Sequence, residues 1–308
     1  MKILITGAGG MLGTDLVRFL AGKHVLVGVG RKPAPHLGIP FHLGDLARSN
    51  IALNLTEKEK PDMILHAAAM TDVDGCETDR REALLCNFEA TINVCEAANR
   101  IGALLIFFST NFVFDGSKSG PYVEEDVPQP ISVYGESKLL AERYLILKGK
   151  QFLILRSSWL FGKRGDNFPR KILRQAEAGR PLQVVSDQFG NPTYTADLAE
   201  ATSRIVEMLA GSRRSSGNQI YHVSNEGTVS RYDWAREILE KKHFPLSLLS
   251  PTTSDQLTRP ALRPRNSALS NEKVKNRFGI HLRPWEEALE AYFREDSTLP
   301  NPGVSCET

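Results

Sequence analysis

The chain has 308 residues, 41% of them hydrophobic and 24% charged, with a formal net charge of +2, the make-up of a globular protein with one large domain or a main domain and an appendage. No basic stripe extends beyond the pairs Arg213-Arg214 and Lys241-Lys242, so a nucleic-acid partner is excluded. The seven histidines and the four cysteines (Cys76, Cys86, Cys95, Cys306) lack metal-ligand or C-x-x-C spacing, no apolar run approaches a membrane span, and no signal peptide follows Met1-Lys2, so the expectation is a cytoplasmic, metal-free protein.

The first predicted strand, Ile3–Thr6, runs into Gly7-Ala8-Gly9-Gly10-Met11-Leu12-Gly13 and a helix over Met11–Ala21. Glycines placed there let the backbone turn tightly and bring a pyrophosphate against the N–H groups of a helix N-terminus. The spacing is G-x-x-G-x-x-G on Gly7, Gly10 and Gly13; a G-x-G-x-x-G would need glycine at Leu12. Gly7, Gly10, Met11, Leu12 and Gly13 are therefore candidate cofactor contacts.

The second strand, His24–Val29, leads into Gly30-Arg31-Lys32 without the acid that would accept from the 2′-hydroxyl of NAD. Small residues leave room for a 2′-phosphate, and Arg31 can form a charge-assisted fork to it. The reading is NADP(H), with NAD(H) as second choice. Asp45 and Leu46 follow the third strand, where an acidic side chain meets the adenine. A short helix over Ile51–Lys58 ends at Pro61, and a strand at Met63–His66 precedes a helix over Glu82–Ile101. The next strand, Leu104–Ser109, ends beside Thr110.

Tyr134 and Lys138 share one face of a helix over Tyr134–Leu147, at i and i+4. A tyrosine titrates near 10, so work near neutrality needs a shift of about 3 units, or about 4 kcal/mol. One ammonium at about 4 Å supplies about that at an effective dielectric near 20. Thr110 precedes Tyr134 by 24 positions, and a hydroxyl at the carboxyl end of a parallel strand points into the ligand crevice. It can donate to a substrate carbonyl beside the tyrosine. Thr110, Tyr134 and Lys138 are the candidate catalytic set.

A strand at Phe152–Arg156 completes this half. Beyond Trp159 polar loops (Gly162–Asn167, Ser186–Thr193, Ser212–Asn218, Ser250–Pro264) separate helices at Phe168–Ala178, Ala196–Leu209 and Arg231–Lys242. The fold expected is α/β, a doubly wound parallel, Rossmann-like sheet with a smaller C-terminal substrate-binding lobe. Residues 1–160 form the NADP(H)-binding part and 161–295 mainly the substrate lobe, with some return to the sheet. The tail 296–308 lacks periodicity and is expected to be disordered.

Several motifs closely resemble the dTDP-4-dehydrorhamnose reductase family of extended short-chain dehydrogenase/reductases, to about Arg294. They include Ala67-Ala68-Ala69-Met70-Thr71-Asp72-Val73-Asp74, Ser109-Thr110-Asn111-Phe112, Val133-Tyr134-Gly135-Glu136-Ser137-Lys138 and Arg156-Ser157-Ser158-Trp159. Asp187-Gln188-Phe189-Gly190-Asn191-Pro192-Thr193, Tyr221-His222-Val223-Ser224-Asn225 and Arg263-Pro264 extend the match. The resemblance implies Thr110, Tyr134 and Lys138 as catalytic residues, and Ala67, Ala68 and Ala69 beside the cofactor. It also implies substrate contacts from Thr71, Val73, Asn111 and Trp159, with Trp159 packing on the sugar; Arg263 reads as a partner for the diphosphate. The implied reaction is NADPH-dependent reduction of the 4-keto group of a dTDP-6-deoxyhexulose to dTDP-L-rhamnose, in a chain that can form a homodimer. The alternatives are a reductase or epimerase of another nucleotide sugar, or a non-catalytic NADP-binding regulatory subunit. Asn111-Phe112 stands where the family commonly has Asp-Tyr, and Ala141 where it has Gly, which bears on substrate identity.

Overall fold

Strands covered by helices on both faces must be apolar on both, and the first five apolar runs pair accordingly. The computed structural model describes residues 1–211 and 218–296. The first half comprises β1 (Lys2–Thr6), α1 (Met11–Leu20), β2 (Val25–Gly30), β3 (Phe41–Leu43), α2 (Ser49–Glu59) and β4 (Met63–His66). It continues with α3 (Val73–Thr78), α4 (Arg80–Leu84), α5 (Ala90–Ile101), β5 (Leu104–Thr110), α6 (Val133–Lys148) and β6 (Phe152–Ser157). The second half holds β7 (Leu160–Phe161), α7 (Phe168–Glu177), β8 (Leu182–Val185), β9 (Phe189–Gly190), β10 (Thr193–Tyr194) and α8 (Thr195–Gly211). Then come β11 (Gln219–His222), β12 (Val229–Ser230), α9 (Arg231–Lys241), β13 (Leu249–Thr252), α10 (Glu272–Phe278) and α11 (Trp285–Asp296).

Seven strands form one sheet in the order β3-β2-β1-β4-β5-β6-β11, and every pairing in it is parallel. The chain reverses its direction of travel across the sheet between β1 and β4, so the ligand crevice opens at their carboxyl ends. Alternate residues serve opposite faces. Ile3 and Ile5 pack with Leu16, Leu198 and Ile205 of α1 and α8, while Leu4 packs with Ile64, Val94 and Leu145 toward α5 and α6. A third core, rich in aromatics, holds Trp159, Phe161, Tyr194, Trp234 and Tyr292 under the smaller lobe.

The predicted strands and helices of the first half lie within about two residues of the observed ones, the usual spread of element ends. One predicted helix differs. Glu82–Ile101 is interrupted by a wider, π-type turn at Leu85–Glu89. Buried Asn87 sits in it, and its amide bonds both the N–H and the carbonyl of Met70. The anticipated return to the sheet is β11, paired with β6. Two predicted loops contain pairing: β13 adds to β8, and β12 pairs β9. The loop expected at 212–217 and the tail 297–308 lie outside the described residues. No helix among the described residues is long and apolar enough to cross a membrane.

Candidate active site

The glycine run forms a cradle because a side chain would block it. Gly7 adopts a φ of 65°, and a Cβ on it would lie 2.8 Å from the Ala68 backbone nitrogen. A Cβ on Gly13 would collide with the Gly7 carbonyl oxygen and come within 2.6 Å of the Ala8 Cα. The start of α1 is thereby seated directly on the β1–α1 loop. Gly10 caps α1 with no side-chain bond, and the first turn, which includes Met11, Leu12 and Gly13, has no acid. Its N–H groups stay available to an anion.

A cleft of about 340 Å³ opens there, lined by Gly7, Gly10, Arg31, Asp45, Leu46, Ala67, Ala68 and Ala69, among others. The carbonyl of Leu46 is fixed by the Asn93 amide at 2.8 Å, and Asp45 accepts from the Ala47 N–H at 3.1 Å. Ala68 donates its N–H to the Thr6 hydroxyl at 3.1 Å. Glycines where a Cβ would clash, and an uncapped helix start, fit a dinucleotide. Arg31 reaches across the rim to Glu82, Nη1 to Oε1 at 2.9 Å. The arginine expected to meet a 2′-phosphate therefore has a carboxylate partner already.

The catalytic candidates come from two neighbouring elements. Thr110 ends β5, and its hydroxyl accepts from the Phe112 N–H at 3.2 Å. Ser132 caps α6 by accepting from Gly135 N–H at 3.2 Å, which starts the helix one residue before Tyr134. Lys138 is buried, donates to the Phe108 carbonyl at 2.8 Å and lies 4.0 Å from the Phe107 ring centre. Burial pushes it down to about 7, with Glu142 acting the other way. Burial pushes the Tyr134 phenol up to about 12, opposed by its hydrogen bond with Thr110. Phe112 meets the Tyr134 ring edge-on at 5.7 Å. The expected lowering of the tyrosine by Lys138 is not seen: the ammonium is turned to the Phe108 carbonyl and desolvation dominates.

A second cleft, of about 440 Å³, lies under the smaller lobe; Val73, Phe112, Trp159, Arg231, Arg259 and Arg263 are among its walls. Of the substrate candidates, Val73, Trp159 and Arg263 line it, while Thr71 is exposed in the loop after β4. Asn111 is buried, and its amide donates to Ser158 Oγ at 2.9 Å and the Ser267 carbonyl at 3.1 Å. Both amide hydrogens are thus engaged inside the protein. Arg263 forks Asp74 at 2.9 and 2.6 Å.

Trp159 has a φ of 44°, a strained setting for a bulky residue that surrounding packing must enforce. It is 9% exposed and stacks on Trp234 at 5.9 Å. The Arg231 guanidinium carbon lies over it at 3.6 Å. Burial lowers Arg231 to about 9, and the like charges of Arg259 and Arg263 add to that. Among the described residues no salt bridge forms to Arg231. Sequence reading missed Arg231 and Arg259. The available signal was the place of Arg231 in the first turn of α9, where the helix dipole disfavours a cation.

Thr110, Tyr134 and Lys138 converge at the strand ends of a parallel sheet whose first turn cradles a dinucleotide, and this combination defines an extended short-chain dehydrogenase/reductase. Within that class, residues 1–298 match the family model described as the RmlD substrate binding domain. The dTDP-4-dehydrorhamnose reductase of Burkholderia thailandensis is 36% identical over 298 residues, covering 94% of this chain and 97% of that one. The crystal structure of dTDP-4-dehydrorhamnose reductase from Bacillus anthracis in complex with NADP superposes with a TM-score of 0.86 at 30% identity, covering 96% and 99% of the two chains. MoeE5, in complex with UDP-glucuronic acid and NAD, gives 0.81 at 25% identity, covering 96% and 99%. The chain belongs to the dTDP-4-dehydrorhamnose reductase family, NAD(P)-dependent oxidoreductases of nucleotide-sugar biosynthesis.

Proposed function

We propose that this chain reduces the 4-keto group of a dTDP-6-deoxyhexulose to dTDP-L-rhamnose, using NADPH ahead of NADH. The reduced nicotinamide supplies the hydride that goes to C4, and the ketone oxygen takes a proton. Tyr134 is the donor of that proton. Its elevated pKa keeps the phenol protonated at neutral pH, the state an acid needs before transfer. The Thr110 hydroxyl, at the end of β5, polarises the same carbonyl. Lys138, near its own midpoint at neutral pH, can take up charge as the phenolate forms and hold the nicotinamide ribose.

Residues 1–160 serve the cofactor and residues 161–295 mainly the sugar nucleotide. Val73 and Trp159 border the sugar, and Arg231, Arg259 and Arg263 meet the diphosphate. The observation that carries this reading is the placement of Thr110 at the end of β5 and of Tyr134 and Lys138 in the first turns of α6, with the neighbouring Phe112, edge-on to Tyr134, lining the second cleft. The Arg31–Glu82 pair favours a second reading, NAD-linked chemistry on another nucleotide sugar, since a carboxylate at that rim competes with a 2′-phosphate. Purified protein with NADPH or NADH and a panel of nucleotide sugars decides between them. Cofactor oxidation only with a dTDP-4-keto-6-deoxy sugar supports the first; none with that sugar, but turnover of a UDP sugar, sinks it.

A further inference from the structure

Helix α6 carries a buried carboxylate one turn beyond Lys138. Glu142 is 0% exposed. Its Oε1 accepts from Ser109 Oγ at 2.5 Å and from Arg156 Nε at 2.9 Å, and its Oε2 accepts from Arg156 Nη2 at 2.6 Å. Arg156 is equally enclosed, lies 5.1 Å from the Phe114 ring centre, and approaches His222 Nε2 with Nη1 at 3.4 Å. Ser109 stands opposite Arg156 across β5 and β6, and Arg156 opposite His222 across β6 and β11. One carboxylate therefore ties the helix of Tyr134 and Lys138 to β5 and β6 and, through Arg156, to β11.

Its partner Ser109 has a particular place in the chain. It lies between Phe108, whose carbonyl receives the Lys138 ammonium, and Thr110, whose hydroxyl holds the N–H of Phe112, the residue edge-on to Tyr134. Pulling Ser109 toward α6 sets the spacing of both contacts. Stability does not account for such a pair, because well-packed apolar residues usually replace a buried ion pair without loss. We infer that Glu142, clamped by Arg156, is a positioning residue that seats Tyr134 against Thr110 and holds Lys138 at the end of β5. This rests on the assignment of Thr110, Tyr134 and Lys138 as the reacting set. Glu142 also supplies the negative charge that supports the Lys138 ammonium. The other groups around that ammonium are Tyr134 on α6, His66 on β4, held neutral by burial, and Arg156 on β6 behind Glu142.

Two variants test this, Glu142→Gln and the apolar pair Glu142→Leu/Arg156→Met. Thermal midpoint, NADPH Kd at several pH values, kcat and KM are read for each. Glu142→Gln should lower kcat by about tenfold to a hundredfold, the size expected of an ångström-scale misplacement. KM and the NADPH Kd at pH 5.5, where Lys138 is charged in both proteins, should move by no more than about twofold, while loss of NADPH affinity at rising pH should begin about one unit lower. The apolar pair should keep the wild-type midpoint and remain as slow as Glu142→Gln. An apolar pair with wild-type midpoint and wild-type kcat overturns the inference. So does a Glu142→Gln protein whose losses follow its melting temperature and whose NADPH affinity keeps the wild-type pH dependence. The NADPH titration needs no sugar, so it separates failure here from an error about the substrate.

Discussion

The Arg231 guanidinium lies over the Trp159 indole, its carbon 3.6 Å from the ring centre. It sits in a cleft that Arg259 and Arg263 also line, and Asp74 balances Arg263. A cation desolvated among like charges is held at a loss unless an anion arrives. Arg231→Met should therefore leave the thermal midpoint unchanged or raised, while raising KM for the nucleotide sugar. A charge-assisted hydrogen bond contributes about 1.5–3 kcal/mol, so KM should rise about tenfold to a hundredfold. A variant that melts lower and keeps its KM would make Arg231 a packing clamp for Trp159.

Trp159 itself invites a sharper expectation. Its surroundings include Arg231, Trp234 and the Gly190 backbone, and truncating a large aromatic in a core costs about 3–5 kcal/mol. Trp159→Ala should lower the thermal midpoint and raise KM for the sugar nucleotide with little change in NADPH affinity. Lost stability with an unchanged KM would place the sugar elsewhere in the cleft.

The tyrosine prediction concerns chemistry alone. Tyr134→Phe removes the proton donor and keeps the ring that Phe112 packs against. Expected is a fall in kcat of about 10²–10⁴, the usual contribution of a positioned acid, with NADPH binding nearly intact. Single-turnover kinetics at saturating cofactor would measure it, and an unchanged rate removes Tyr134 from the mechanism.

At the cofactor rim two variants should move in opposite directions. Arg31→Ala should weaken NADPH and leave NADH alone, whereas Glu82→Gln should tighten NADPH by freeing Arg31. The pair is exposed, so its release is worth at most about 1 kcal/mol, or about fivefold. Fluorescence titration of both cofactors reads this directly. Equal changes for NADPH and NADH would make the pair a surface contact without a say in selectivity.

What the sequence disclosed follows from which signals are local. The apolar runs of β1, β4, β5 and β6, the Gly7–Gly13 turn and the Tyr134–Lys138 spacing are set by neighbours in the chain, and each was legible. The π-type turn at Leu85–Glu89 was not, because its cause is distant: buried Asn87 reaching the Met70 backbone across 17 positions. Strand β3, only three residues long, carries too little periodicity to give it bounds, although its place before Asp45 was legible. Arg231 escaped because its meaning lies in Trp159, Arg259 and Arg263, which only the fold assembles. Lys138 was read as a charge that would lower Tyr134, but burial, which depends on the assembled fold, raises the phenol instead and lowers Lys138 itself.

The last prediction concerns stability and pH. His66 is fully buried, with Nδ1 2.7 Å from the Thr6 hydroxyl and Nε2 3.1 Å from that of Thr91, and burial pushes its pKa down to about 3. His222, beside Arg156 and the Tyr122 carbonyl, is likewise lowered by burial, with the Arg156 charge adding to it. Unfolded, both imidazoles take a proton near pH 6.5. From about 6.5 downward the unfolded chain therefore binds more protons than the folded one, and stability falls as pH falls. The slope is at most about 1.4 kcal/mol per pH unit for each imidazole. Asp15 and Glu124, whose carboxyls burial pushes up, act in the opposite sense below that range. Lys138 is charged in both states there and drops out. Urea unfolding at pH 6.5, 5.5 and 4.5 should show the decline, and His66→Gln, which retains a polar partner for Thr6 and Thr91, should remove up to half of it. An identical decline in His66→Gln would mean that His66 takes its proton inside the folded protein, and the buried, neutral imidazole would be wrong.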